Sequence, residues 1–255
     1  MDLTWKSFLI VCPLVFLGGF VDAIAGGGGL ITLPAYFLCG LPAHAALATN
    51  KLSSSLGAAV SAARYWRHQY MDRGLILPTV VAALLGSAIG ARASLLVSEQ
   101  ALKYLLLIVL PAAAYYVLRK KDFSVQAVAS YPPLLRRRTM AITVAAALLI
   151  GCYDGFYGPG TGTFLLLIFT GAAKMDLRTA SGNAKAINLA SNIAALVTFI
   201  CNGKVHFLLG GTAALFSIAG NYLGAGMLIR DGGKIVRPAI LLVLALLFIK
   251  ILSGN

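Results

Sequence analysis

The sequence predicts an all-α integral membrane protein built from two homologous halves. Three observations carry that expectation. Hydrophobic residues make up 59% of the chain and charged residues only 11%, against roughly 25% charged in soluble domains. Apolar stretches at 74–97, 101–118, 205–229 and 235–253 reach the ~20 residues that cross a bilayer core. An aspartate followed by a glycine cluster occurs twice, in VDAIAGGGG from Val21 and in YDGFYGPGTG from Tyr153.

The second motif marks an internal repeat. Asp22 matches Asp154, and Gly26 and Gly28 match Gly158 and Gly160, all 132 residues on. Asn50 matches Asn183 at an offset of 133, and Gly86 and Gly90 match Gly220 and Gly224 at 134. The halves are therefore 1–118 and 140–255, joined by the polar stretch 119–139, which contains Pro132 and Pro133 and reads as a cytoplasmic loop. Each half opens with an apolar segment ending in Asp. A glycine cluster, a short apolar segment, a helix rich in small residues and two further spans follow, for roughly eight to ten transmembrane segments in all.

The short segments are the informative ones. Leu30–Cys39 and Thr163–Thr170 are too short to cross as straight helices and read as half-helices after an interruption. Broken backbone at membrane depth is tolerated only where protein or a cavity covers it. A pair of such breaks at matching positions of two repeats points to a transport site.

The charge balance sets orientation. Basic residues sit in short loops between spans, as the positive-inside rule expects for an inner-membrane protein. If each interrupted unit is a hairpin, each half has an odd number of crossings and the second half is inverted. In that arrangement Lys174, Arg178, Arg230, Lys234 and Arg237 face the cytoplasm, and Lys204 and Lys250 face out. The net charge of +13 comes without the aromatic-interleaved basic patch of a nucleic-acid binder, so no nucleic-acid partner is expected; a basic surface also concentrates anions. With one glutamate in the chain, Glu99, the only carboxylates at membrane depth are Asp22 and Asp154. The four cysteines have no metal-ligand spacing, and neither metal nor cofactor is expected. Lys6 and the Ala23-Ile24-Ala25 sequence imitate a signal peptide, but the internal copy of the motif argues for a retained first segment.

A helix that begins at a glycine cluster offers backbone N–H groups and a positive dipole end to an anion. Gly28, Gly29, Gly160, Thr161 and Gly162 are the candidates for that role. Ser181, Lys185, Asn188 and Asn192 fall on one stripe of the helix expected over Ala180–Ile200, with Asn183 at its unwound start. Asn50, Ser54 and Ser61 form the first-half counterpart, and Lys51 falls one residue out of register with Lys185. A polar stripe on an apolar membrane helix faces the bundle or a cavity. Asp22 and Asp154 admit three roles: capping the unwound backbone, carrying a coupling proton or helping bind Na⁺, and pairing with Lys51 or Lys185. Tyr153, Tyr157, His44 and His206 lie within reach in sequence.

The chain resembles the TauE/SafE family, the sulfite exporter-like permeases. The resemblance rests on GGFVDAIAGGGGLITLP with ATNKL in the first half, and on GCYDGFYGPGTG with ASGNAKAINLASN in the second. It implies a bacterial or archaeal inner-membrane carrier of a small sulfur-containing anion such as sulfite or an organosulfonate such as sulfoacetate, with no enzyme activity and no ATP-driven partner. The residues themselves leave alternatives open: an uncoupled anion pore, a carrier of another small organic anion, or a cation carrier using the two aspartates. A homodimer is also left open. No nucleophile–base set or nucleotide loop points to an enzyme.

Overall fold

A computed structural model describes residues 5–102, 104, 133–231 and 238. The described residues are helical, with no strand. The helices run in the order α1 (Trp5–Ala25), α2 (Gly29–Leu38), α3 (Ala43–Arg67), α4 (Arg73–Leu96), α5 (Pro133–Phe156), α6 (Thr161–Gly171), α7 (Leu177–Cys201) and α8 (Phe207–Asp231). Among the described residues α1, α4, α5, α7 and α8 are long and apolar enough to cross a membrane, and α2 and α6 are the short apolar helices. α3 has 25 residues, but its polar stripe keeps it below that hydropathy. The expected spans 101–118 and 235–253 fall almost wholly outside the described residues, as does the expected loop up to residue 132. α5 begins inside that loop, at Pro133, a residue whose fixed φ and missing N–H suit the first turn of a helix.

The helix starts follow local chemistry. Asp72 accepts from the Gly74 amide at 2.8 Å to cap α4, and Asp176 accepts from the Arg178 and Thr179 amides at 3.0 Å to cap α7. α3 starts after Pro42, which supplies no side-chain cap. Glu99, from the turn after α4, reaches back instead: its carboxylate accepts from the Ala43 and His44 amides and meets His44 Nδ1 at 2.6 Å. The chain's one glutamate is thus a long-range cap on the helix that carries Lys51.

Each half forms the same unit. α1 and α2 make a hairpin whose open ends meet where Cys39 Sγ donates to the Ser7 carbonyl at 3.5 Å. α5 and α6 make the equivalent hairpin, closed by Thr139 Oγ1 donating to the Ala173 carbonyl at 3.4 Å. The first helix of each half packs on the fourth helix of the other: α1 on α8, and α5 on α4. Glycines bring these pairs together. A Cβ at Gly86 or Gly90 would collide with the Leu148 or Cys152 carbonyl, and one at Gly220 or Gly224 with the Phe16 or Phe20 carbonyl. Small residues four apart are the usual means of close helix approach in lipid, where no hydrophobic effect drives association.

The contact register fixes helix directions. Thr49 faces His206 and Ser61 faces Asn221, so α3 and α8 run parallel. α1 runs parallel to α8, with Phe16 by Gly220 and Phe20 by Gly224. α4 runs parallel to α5, with Ala83 by Gly151 and Ser87 by Gly155. It is also parallel to α7, with Asp72 by Asn183 and Ser87 by Ser191. α3 and α7 cross in opposite senses: Tyr70, just past α3, meets Gly182 near the start of α7, while Lys51 and Ser54 near the start of α3 share a cavity with Asn192.

Candidate functional site

The two glycine interruptions meet. Gly26 ends α1 with φ 72° and Gly160 precedes α6 with φ 85°, both in the left-handed region that glycine enters without a Cβ penalty. Gly26 lies against Gly162 so closely that a Cβ on either would overlap the other's backbone. The Gly26 carbonyl accepts from the Thr163 amide at 3.3 Å, and the Ala25 carbonyl from Thr163 Oγ1 at 2.8 Å. Gly29 abuts Pro159. The breaks of the two halves are thus one junction, pinned further by Tyr153 Oη donating to the Pro159 carbonyl at 2.7 Å.

Beside the junction the halves exchange two ion pairs. Lys51 Nζ lies 2.8 Å from Asp154 Oδ2, with side chains 3% and 2% exposed. Lys185 Nζ lies 2.7 Å from Asp22 Oδ2, with side chains 4% and 14% exposed. Each half gives its aspartate to the other half's lysine. Pairing with the lysines is one of the three roles the sequence allowed for the aspartates. The expected register between the lysines is corrected as well. α3 and α7 start at residues 43 and 177, an offset of 134, so Lys51 and Lys185 are true counterparts. Matching Asn50 with Asn183 had shifted the alignment by one residue, which is 100° around a helix.

The surroundings of the two pairs differ. Thr161 Oγ1 is 2.8 Å from Asp154 Oδ1 and 2.7 Å from the Gly158 carbonyl. Ser191 Oγ is 2.6 Å from Asp154 Oδ2 and 3.0 Å from the Asn188 carbonyl. Each hydroxyl has one proton to give, and both have Asp154 in reach. At the counterpart positions, 132 and 134 residues earlier, stand Gly29 and Gly57. Asp22 therefore has only Lys185 bonded to its carboxylate among the described side chains, the ammonium also donating to the Asp22 carbonyl at 2.8 Å.

Between the pairs lies a cavity of about 20 Å³ lined by Asp22, Gly26, Gly29, Asn50, Lys51, Ser54, Asp154, Gly158, Thr161, Asn188 and Asn192. A second, of about 10 Å³, adjoins it beside Asp22, Gly162, Ser181 and Lys185. The larger has room for about one water. Eleven residues were singled out from sequence as candidate binding residues. Of these, Gly29, Asn50, Lys51, Thr161, Asn188 and Asn192 line the larger cavity, and Gly162 and Lys185 the smaller. Gly28 packs on the Asp22 side chain and the Gly18 carbonyl, and Gly160 supplies the turn into α6.

Asn183 belongs elsewhere. It sits inside α7, which begins at Leu177 rather than at an unwound Ala180, and it accepts from the Asp72 amide at 3.3 Å. Its counterpart is Thr49, which accepts from the His206 amide at 3.1 Å. Both residues tie down the turn before a fourth helix. Neither His44 nor His206 lines either of these two cavities, and Tyr157 packs in the apolar cluster with Leu33 and Phe199. Ser191 was not singled out, although Lys185, Asn188 and Ser191 fall at i, i+3 and i+6 of one helix face.

Several helix-end amides are bonded within the junction. In this conformation Leu30, Ile31 and Thr32 donate to the Gly27 and Gly28 carbonyls, and Thr161 and Thr163 to those of Gly158 and Gly26. The side chains add two ammoniums, three amides and the Thr161 and Ser54 hydroxyls to the site.

The model of the sulfite exporter TauE/SafE family matches residues 11–251. The chain belongs to that family. It is similar to the probable membrane transporter protein ORF9 of a Sinorhizobium species, 31% identical across 99% of this chain and 95% of the relative. It is 32% identical to the probable membrane transporter protein YfcA of Escherichia coli, again across 99% and 95%, and 32% identical to a probable membrane transporter protein of Haemophilus influenzae across 95% and 93%. No solved structure matches. The protein is a multi-pass membrane transporter of the TauE/SafE family.

Proposed function

We propose that this protein is a secondary transporter that moves a small anion, a sulfur oxyanion or organosulfonate such as sulfite or sulfoacetate, across the inner membrane by alternating access. One observation carries the reading: two broken helix hairpins, one from each half, converge on two adjoining small cavities, one lined by Lys51 and three asparagines and the other by Lys185. A buried cation is costly unless it is paired or meets an anion. Asn50, Asn188 and Asn192 supply amide donors that would replace the anion's lost water.

The helix directions support inverted halves. α1 and α3 run with α8, while α5 and α7 run with α4. The first, third and fourth helices of one half thus oppose their counterparts, and rocking one half against the other about the junction exchanges the open side. The cavity volume favours a carrier over a pore. With space for about one water, the site is too small for an organosulfonate in this conformation, and the anion enters only when the site opens. A binding screen of detergent-purified protein against sulfite, thiosulfate, sulfoacetate, taurine and a carboxylate control tests the substrate class. Saturable binding of a sulfur anion is expected; binding of the carboxylate alone would move the substrate out of that class.

A further inference from the structure

The two swapped ion pairs are equal in plan and unequal in detail. Asp154 is 2% exposed and has two hydroxyls within reach as well as Lys51. Asp22 is 14% exposed and, among the described side chains, has Lys185 alone. The difference is written at two positions of the repeat, Thr161 against Gly29 and Ser191 against Gly57. Restoring a hydroxyl at Gly57 is blocked, because a Cβ there would collide with Ser217 and Asn221.

Donors that face a carboxylate stabilise its ionised form, and protonation forfeits them. Adding a proton to Asp154 sets Lys51, Thr161 and Ser191 against a group that no longer attracts them. Adding one to Asp22 releases a single partner. We infer that Asp22 is the proton carrier of this transporter, and that its protonation frees the Lys185 ammonium to hold the anion, so that proton and anion cross together in one direction. This rests on the anion-transport reading above.

The step is a proton transfer only. A proton from the aqueous phase adds to Asp22 Oδ2, the ion pair with Lys185 opens, the anion takes the ammonium, and both leave on the opposite side when Asp22 ionises and recaptures Lys185. No bond of the substrate breaks. The other charged or titratable groups facing Asp22 are few. Lys185 comes from α7 and Asp154 from α5 across the cavity. From α3 come Lys51, on the cavity wall, and Tyr65, whose hydroxyl donates to the neighbouring Ala23 carbonyl at 2.5 Å. Lys51 stays bound to Asp154 throughout, so one pair works while the other holds the halves in register.

Proteoliposomes with a one-unit pH gradient and radiolabelled sulfoacetate test this. With the membrane potential clamped at zero by valinomycin and equal K⁺, wild-type protein should accumulate the anion about tenfold for each proton carried. Asp22→Asn, which has the shape of the protonated acid, should exchange labelled for unlabelled sulfoacetate yet show no accumulation driven by the gradient. Gradient-driven accumulation by Asp22→Asn overturns the assignment. Should Asp22→Asn fail to fold, a pH dye trapped in wild-type vesicles reads the proton directly: acidification on sulfoacetate entry is expected, and entry without it refutes the coupling. Wild-type vesicles that take up none of the sulfur anions refute the transport reading and the coupling with it, whereas uptake indifferent to the gradient refutes the coupling alone.

Discussion

Removing one member of the Lys51–Asp154 pair is expected to damage the protein far more than removing both. The two groups are 2.8 Å apart and almost wholly out of solvent. At such a site the desolvation of each ion is offset only by its partner, and losing one partner costs about 3–5 kcal/mol. Lys51→Met leaves a buried carboxylate held by the Thr161 and Ser191 hydroxyls alone. Asp154→Asn leaves a buried ammonium. The double variant Lys51→Met/Asp154→Asn removes both charges, so most of the penalty should vanish. The interaction energy should then reach at least about 2 kcal/mol, at the upper end of the range for residues in direct contact. Denaturation in detergent, followed by tryptophan fluorescence for the four members of the cycle, measures it. Additive single effects would refute the reasoning, since they would mean that each ion finds other partners or water.

Further outcomes follow from the geometry. Gly26→Ala should prevent assembly of the junction, because φ 72° strains any L side chain by roughly 1–3 kcal/mol and its Cβ would overlap Gly162; the readout is monodisperse protein on size exclusion. Glu99→Ala should destabilise by roughly 0.5–2 kcal/mol, the range for losing a helix cap. Burial opposes ionisation of Glu99, but hydrogen bonds from His44 and Ala43 outweigh it and hold its carboxyl below the ordinary value. A lowered carboxyl contributes stability that is complete above the unfolded value and lost as pH falls through the folded one. Wild-type protein should therefore lose this increment on acidification, while Glu99→Gln should show a flatter acid limb of its denaturation curve. For orientation, cysteines placed at the exposed Ala172 and Gly203 of a Cys201→Ser background should label from opposite sides of the membrane, Gly203→Cys from outside; same-side labelling would defeat the inverted arrangement.

Much of the fold was legible because the bilayer makes its demands locally. The short segment expected over Leu30–Cys39 is α2 at Gly29–Leu38, and Thr163–Thr170 is the body of α6 at Thr161–Gly171. Glycines spaced to match between the halves marked both the breaks and the faces on which α4 and α8 pack. The ion-pair exchange was not legible. Lys185 reaches an aspartate 163 residues away, and Lys51 one 103 residues on, and nothing local couples them. Pairing Asn50 with Asn183 by residue type hid the equivalence of the lysines, because helix phase and not identity decides which side chains share a face. Free N–H groups at a helix start are a general expectation, and the sequence could not show that the tight glycine turns satisfy several of them, those of Leu30, Ile31, Thr32, Thr161 and Thr163, with their own carbonyls.

On the transport reading proposed above, the junction of the two halves carries a small sulfur anion across the membrane. Counterflow tests it most directly: vesicles containing the purified protein and loaded with unlabelled sulfite or sulfoacetate are diluted into a trace of the labelled anion. The account predicts a transient, saturable overshoot of label that Lys185→Met weakens by roughly 10- to 150-fold in apparent affinity, the equivalent of one charge-assisted hydrogen bond of about 1.5–3 kcal/mol. Labelled uptake that never overshoots, never saturates and is indifferent to Lys185→Met would contradict it.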